Sequence, residues 1–216
     1  MQGKVDIKLA ELNEEMIKMG TMIETAITGA VRALSTSDQE LARRIMNADT
    51  EVDREQKKIE DICFNLLIQR QPVARDLRTV TAAMKMVTDM ERIGDHAADI
   101  SEITIFMGES RREADFGHIN RMAAETMLML NWSIEAYTER NIEKARNVIA
   151  HDDVVDRLFS EAKGDIISLI QKDPQDGEEA TDLLMAAKYF ERIGDHATNI
   201  AEWVIYSLSN EEEKTL

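Results

Sequence analysis

The stretch Glu91-Arg92-Ile93-Gly94-Asp95-His96-Ala97 returns unchanged as Glu191-Arg192-Ile193-Gly194-Asp195-His196-Ala197. Seven consecutive identities do not arise by chance in a chain of 216 residues, and the agreement runs on with Ile100 against Ile200 and Glu102 against Glu202. Upstream, Asp49, Val52, Asp53 and Arg54 match Asp152, Val155, Asp156 and Arg157 at a spacing three residues longer, so the segment linking the motifs is shorter in the second copy. Duplication of one structural unit accounts for both sets of matches.

The apolar period says what the unit is. Leu9, Leu12, Met16, Met19, Ile23, Ile27, Ala30 and Leu34 recur three and four apart, one face of a long helix. Ser37 followed by Glu40 reads as a capping box opening a second helix, carried by Leu41, Ile45, Ala48, Val52, Ile59, Ile62 and Leu66 until Pro72 breaks the chain. A third helix is expected from Ala74 to Met107, with Gly108 suited to the left-handed conformation that ends it. The charged, weakly periodic stretch from Glu109 to Phe116 divides the halves, giving units of 1–110 and 111–216. A fourth helix then runs to about Glu139 and a fifth from Ile142 to Lys172. Asp173-Pro174 interrupts before a sixth helix from Glu178 to Ser209. The expected fold is all-α, two tandem three-helix bundles of antiparallel helices, each helix about 25 to 35 residues long.

Composition agrees: 9 Gly, 2 Pro and 5% aromatic residues leave little material for turns or sheets, while 44% hydrophobic content suffices for a core. With 42 acidic against 26 basic residues the net charge is −16, which repels phosphate backbones and anionic lipid, so nucleic acid is not an expected partner. The single Cys63 excludes an internal disulfide and lies among Ile59, Ile62 and Leu66 as a core residue. The start MQGKVDIKLA has no signal-peptide core, and no apolar run approaches the roughly 18 residues of a membrane span. A cytoplasmic protein with no direct membrane insertion is expected. The methionines at 84, 86, 90, 122, 127 and 129 fall at helical spacings and read as core filler.

Acids four apart lie on one helix face, where like charges cost a few tenths of a kcal/mol unless neutralised. If helices two and three fold back at Pro72, Asp53 and Glu91 each lie 19 residues from the turn, and Asp49 and Asp95 each lie 23. The four carboxylates therefore come level. In the second copy Asp156 with Glu191, and Asp152 with Asp195, come level about Asp173-Pro174. The apolar stripe Met90, Ile93, Ala97, Ile100 places these acids toward the bundle surface. Four carboxylates at a seam with no matched basic residue call for a multivalent cation, and all-oxygen ligands suit iron, manganese, magnesium or calcium. The competing reading is an exposed acidic face managed by Arg92, Arg192 and solvent. His96 and His196 lie nearer the apolar stripe, fitting helix packing or a supporting position behind the ligands. His118 and His151 have no repeat partner and look incidental. Arg75, Asp76 and Arg78 read as a solvated turn.

These duplicated motifs, their acid-xxx-acid partners and Gln71-Pro72-Val73-Ala74-Arg75-Asp76-Leu77-Arg78 resemble the PhoU family of phosphate-uptake regulators over essentially the whole chain. The resemblance implies two three-helix bundles and surface metal sites. One would comprise Asp49, Asp53, Glu91 and Asp95, the other Asp152, Asp156, Glu191 and Asp195. His96, Asp99, His196 and Asn199 would stand behind the ligands. Iron is the implied metal, with manganese, magnesium, zinc or calcium as alternatives. The halves differ where Asp99 faces Asn199, so the sites could take different numbers of ions. The resemblance also implies a negative regulator that couples a phosphate ABC transporter ATPase to a sensor histidine kinase. Such a protein would act without catalysis, as a homodimer reaching the inner membrane only through protein partners. A ferritin-like or di-iron carboxylate protein is the main rival, but its Glu-x-x-His pairs are missing, since the histidines follow Glu91 and Glu191 by five. A metal-free helical adaptor is the other.

Overall fold

The computed structural model describes residues 2–68, 74–108 and 117–212, with side chains described within 7–68, 77–108 and 117–209. Six helices follow in order: α1 (Gln2–Thr36), α2 (Gln39–Ile68), α3 (Ala74–Met107), α4 (Gly117–Thr138), α5 (Ile142–Lys172) and α6 (Gly177–Glu212), with a 3-10 turn at Pro174–Asp176 before the last. Among the described residues there is no strand. The fold is all-α. At 22 residues α4 is shorter than the expected range and at 36 α6 slightly exceeds it. Pro72 and the boundary stretch 109–116 lie outside the described residues, as do Gln71 and Val73.

Chain breaks fall where the backbone chemistry changes. Gly108 takes φ +71 at the end of α3, and Asp173 closes α5 by donating its N–H to the Leu169 carbonyl while its side chain accepts from the Gln175 N–H at 2.9 Å. The expected capping box at Ser37 is corrected. Ser37 is itself left-handed, with φ 56, and ends α1; Asp38 is the residue whose carboxylate accepts the Leu41 N–H at 2.9 Å to open α2. The Asp38 N–H returns to the Ala33 carbonyl at 3.1 Å, closing a Schellman-type end. The second copy repeats the device: Arg140 at φ 54, the Asn141 N–H on the Ala136 carbonyl, and the Asn141 side chain accepting from Lys144. The left-handed residue ends the preceding helix, so the cap position falls one residue later, on Asp38 and Asn141, whose side chains accept a first-turn N–H.

The helices α1, α2 and α3 pack on one another, as do α4, α5 and α6. Leu12, Met16, Met19, Ile23 and Ile27 of α1 are fully buried against Ile59 and Cys63 of α2 and Met86, Met90 and Ile93 of α3. Phe190 is the largest fully buried side chain of the second bundle. Burial drives the Cys63 thiol up to about 12, so it is inert core. Met86, Met90, Met122 and Met129 are fully buried, and Met84 and Met127 pack against them. Polar groups also enter this layer. Glu55, only 5% exposed, is met by Lys18 from α1, while Lys58 and Lys18 hold Glu15 between them.

The bundles join along two seams, α3 against α6 and α1 against α4, and their apolar residues form one continuous core. The α1–α4 seam closes where Gly20 leaves room for the Ile134 side chain. Farther along the same seam, Ser35 donates to the Asn120 carbonyl oxygen at 3.0 Å. No helix among the described residues is long and apolar enough to cross a membrane.

Candidate metal centre

The acids come level, as the distance-from-turn argument requires. A Cβ built on Gly94 would meet Val52 at 3.1 Å and the Asp49 carboxylate at 3.4 Å; one on Gly194 would meet the Asp152 carboxylate at 3.3 Å and Val155 at 3.5 Å. The motif glycine is therefore where α3 lies flat on α2, and α6 on α5. Lacking a Cβ, it brings the backbones close enough for the aspartate of one helix to rest on the other.

In the first bundle, one oxygen each from Asp49, Asp53 and Asp95 lies within 4.8 Å of the others, and all three residues are half-buried. Among the described residues this is the one trio of candidate ligands drawn so tightly together. The electrostatics match. Burial first, then Asp95, Asp53 and Asp99, push the Asp49 carboxyl up to about 6. Burial, followed by Asp95, also raises Glu91. Hard carboxylate oxygens crowded enough to raise Asp49 and Glu91 suit a di- or trivalent hard ion, so the donor set fits the expected metal.

Two basic residues reach the seam, Arg92, which the competing reading of an exposed acidic face names, and Lys188, which no reading of the sequence names. Arg92 places Nη1 2.8 Å from Asp95 and Nε 3.5 Å from Glu91, drawing both acids toward one guanidinium. Glu91 is thus on the seam but outside the tight trio. In the second bundle Lys188 binds Glu191. The expectation of a face without a basic partner is corrected: residues one and three positions away on the same helix reach back along it.

The second site is looser. Desolvation at the seam, followed by Asp195, Asp156 and Glu191, raises Asp152 to about 6; Asp195 is raised by desolvation and then by Glu191. All four acids therefore feel one another, while Asp156 and Asp195 remain exposed.

His96 and His196 turn from the acids into the α3–α6 seam, where their rings face each other at 5.6 Å. His96, 8% exposed, has Nδ1 3.2 Å from Asp99 and stacks on Tyr189 at 5.3 Å; its burial favours the neutral ring. His196 has Nδ1 2.8 Å from Asp89, which also accepts from the Asn199 amide at 3.0 Å. Asp99 thus adds to the field on Asp49 and anchors His96, while Asn199 turns to the opposite bundle. Asp89 was missed because its repeat counterpart is Tyr189, so the duplication gave no signal. The incidental histidines also have partners: His118 meets Asp165 and Glu161 between α4 and α5, and His151 has Nε2 2.6 Å from Glu125.

Comparison with known proteins agrees with this duplicated arrangement. The model of the PhoU domain matches twice, over residues 16–104 and 119–204. A phosphate-specific transport system accessory protein PhoU homolog of Clostridium acetobutylicum is 35% identical over 94% of both chains. The crystal structure of PhoU from Pseudomonas aeruginosa superposes with a TM-score of 0.88 at 30% identity, covering 95% of this chain and 99% of that one. The phosphate transport system regulatory protein PhoU of Streptococcus pneumoniae gives 0.87 at 27% identity, over 95% and 97%. With both halves matched and the relatives covered nearly end to end, the chain belongs to the PhoU family.

Proposed function

We propose that this protein is a regulatory accessory protein of phosphate uptake, a negative regulator that couples a phosphate ABC transporter ATPase to a sensor histidine kinase. The observation that carries the reading is the match of both bundles, across nearly the whole chain, to proteins named as phosphate transport accessory proteins. In the native cell, deletion of the gene is expected to raise phosphate uptake and switch on phosphate-starvation genes while phosphate is plentiful. Pull-down of the tagged protein should recover the transporter ATPase and the kinase. Unchanged expression of those genes together with no recovery of either partner would refute the role. The same reading makes the protein cytoplasmic and homodimeric, without catalysis of its own.

The carboxylate seam supports a metal-binding role within that function. Asp49, Asp53 and Asp95 would hold a hard cation in the first bundle with Glu91 beside them, and Asp152, Asp156, Glu191 and Asp195 would do so in the second. Iron is the expected ion, with manganese, magnesium, zinc or calcium as alternatives. A bound ion supplies positive charge that relieves repulsion between two helices, joining α2 to α3 or α5 to α6. The histidines turned into the α3–α6 seam set the site apart from di-iron oxidases, whose histidines project onto the metal. Elemental analysis of natively purified protein tests this reading: less than one metal ion per chain, with no uptake on titration, sinks it.

A further inference from the structure

Because the bundles are copies, a difference in side-chain bulk at equivalent positions shows as a difference in filling. The shared helix ends and the Asp49–Asp152 match align α1 and α2 with α4 and α5. On that alignment Ala26, Gly29 and Ala48 stand where the second bundle has Met129, Trp132 and His151. Those larger residues are packed. Trp132 and His151 meet edge to face at 5.3 Å, and the buried Met129 sulfur lies 3.8 Å from the Cβ position of Gly194. In the first bundle Ile45 covers Gly29, but the space beside Ala26 and Ala48 stays open as a groove of about 420 Å³ between α1 and α2. Val52, Gly94 and Asp49 are among the residues that line it.

The charge around Asp49 is mostly negative. The charged groups acting on Asp49 are Asp95, Asp53 and Asp99. Glu51 stands on the rim, and the rim's own cation, Lys18, is drawn to Glu55 and Glu15. A small apolar groove bordered by acids selects an apolar side chain followed by a cation.

We propose that this groove receives a basic amphipathic segment of a partner protein. An apolar anchor fills the volume taken by Met129 in the second bundle, and a lysine or arginine lies over Asp49. The second bundle, already filled by its own side chains, offers no equivalent seat, so the two halves divide their work. Asp49 and the acids beside it are also those of the metal reading, so the basic segment and a bound cation exclude one another and the seat is open in the metal-free chain.

The test uses the full chain in a chelator, with fluorescence anisotropy of two synthetic helical peptides. One presents leucine and lysine on adjoining faces; the other has glutamate in place of lysine. The basic peptide is expected to bind saturably and the acidic one not at all. Ala26→Met, copying the second bundle, should weaken binding at least about tenfold, the scale of a lost anchor. Ala48→Leu fills the same space from an exposed position and serves if the first variant unfolds by circular dichroism. Equal affinity of wild type and a folded, filled variant overturns the proposal, because attachment by net charge alone is blind to the filling. So does failure of the wild type to bind. A change in the sedimentation coefficient of the free protein on filling also overturns it, by giving the groove to a second copy of this chain.

Discussion

Replacing Asp49 with asparagine should make the metal-free protein more stable while destroying its response to metal. The side chain keeps its shape and loses its charge, which is the quantity the seam opposes. Asp49 has its carboxyl raised from 3.8 to about 6 in the folded state, by burial and then by Asp95, Asp53 and Asp99. A folded value above the unfolded one means the native state holds the proton more tightly. This contribution to stability is full below the unfolded value and is lost as pH climbs through about 6. At about 1.36 kcal/mol per pH unit the rise corresponds to about 3 kcal/mol, which solvent screening of a half-buried carboxylate reduces to about 1 to 2. At pH 7 Asp49→Asn is therefore expected to stabilise the chelator-treated protein by about 1 to 2 kcal/mol. At pH 4 the gain should shrink toward zero. Manganese at about 100 times its dissociation constant should stabilise the wild type by about 2.7 kcal/mol and the variant far less. Urea unfolding followed by circular dichroism, at both pH values and with or without metal, measures all four quantities. A variant less stable than wild type at pH 7, still stabilised by manganese to the same degree, would refute the reasoning at both steps.

Gly94→Ala gains about 1 kcal/mol of helix propensity but places a methyl 3.1 Å from Val52 and 3.4 Å from the Asp49 carboxylate. Calorimetry should show a net stability change under about 1 kcal/mol, with weakened metal binding. Ser37→Gly and Arg140→Gly relieve left-handed backbone at φ 56 and φ 54, and each should raise the urea midpoint by an amount worth about 0.5 to 1 kcal/mol. Asp89→Ala removes the acceptor shared by His196 and Asn199 across the seam, and should cost about 1 to 3 kcal/mol while leaving the manganese affinity of the first site unchanged.

The sequence was most informative where structure repeats or where the backbone carries punctuation. The boundaries of α3 and α5 follow from Gly108, Asp173 and Pro174, whose conformational preferences act locally. Counting residues to a turn sets Asp49 level with Asp95 and Asp53 level with Glu91, because two helices of equal rise folded at one point keep equal height, and the structure draws Asp49, Asp53 and Asp95 together while leaving Glu91 outside the trio. Ser37 reads as a cap in the sequence because a left-handed serine carries no compositional mark that sets it apart from a capping one. Comparing Asp38 with Asn141 across the repeat would have found the true caps. Arg92 and Lys188 lie on the same helices as the acids, but how far a flexible cation folds back along its helix depends on the neighbouring helix. The pairing of Asp89 with His196 spans 107 residues and two bundles, so no period within one helix announces it.

Along the α3–α6 seam the contacts are reciprocal under the repeat: His96 lies on its own counterpart His196, Asp89 meets Asn199, and their counterparts Tyr189 and Asp99 lie close to each other across the same seam. This is the contact pattern of a self-paired homodimer drawn within one polypeptide. In an unfused ancestor, any change at such a position would have been imposed on both faces together. Once the copies shared a chain, Asp could become Tyr on one side alone and Asp could stand opposite Asn. Covalent fusion thereby freed the two faces to diverge, giving a molecule with a left and a right where its forebear had two interchangeable sides.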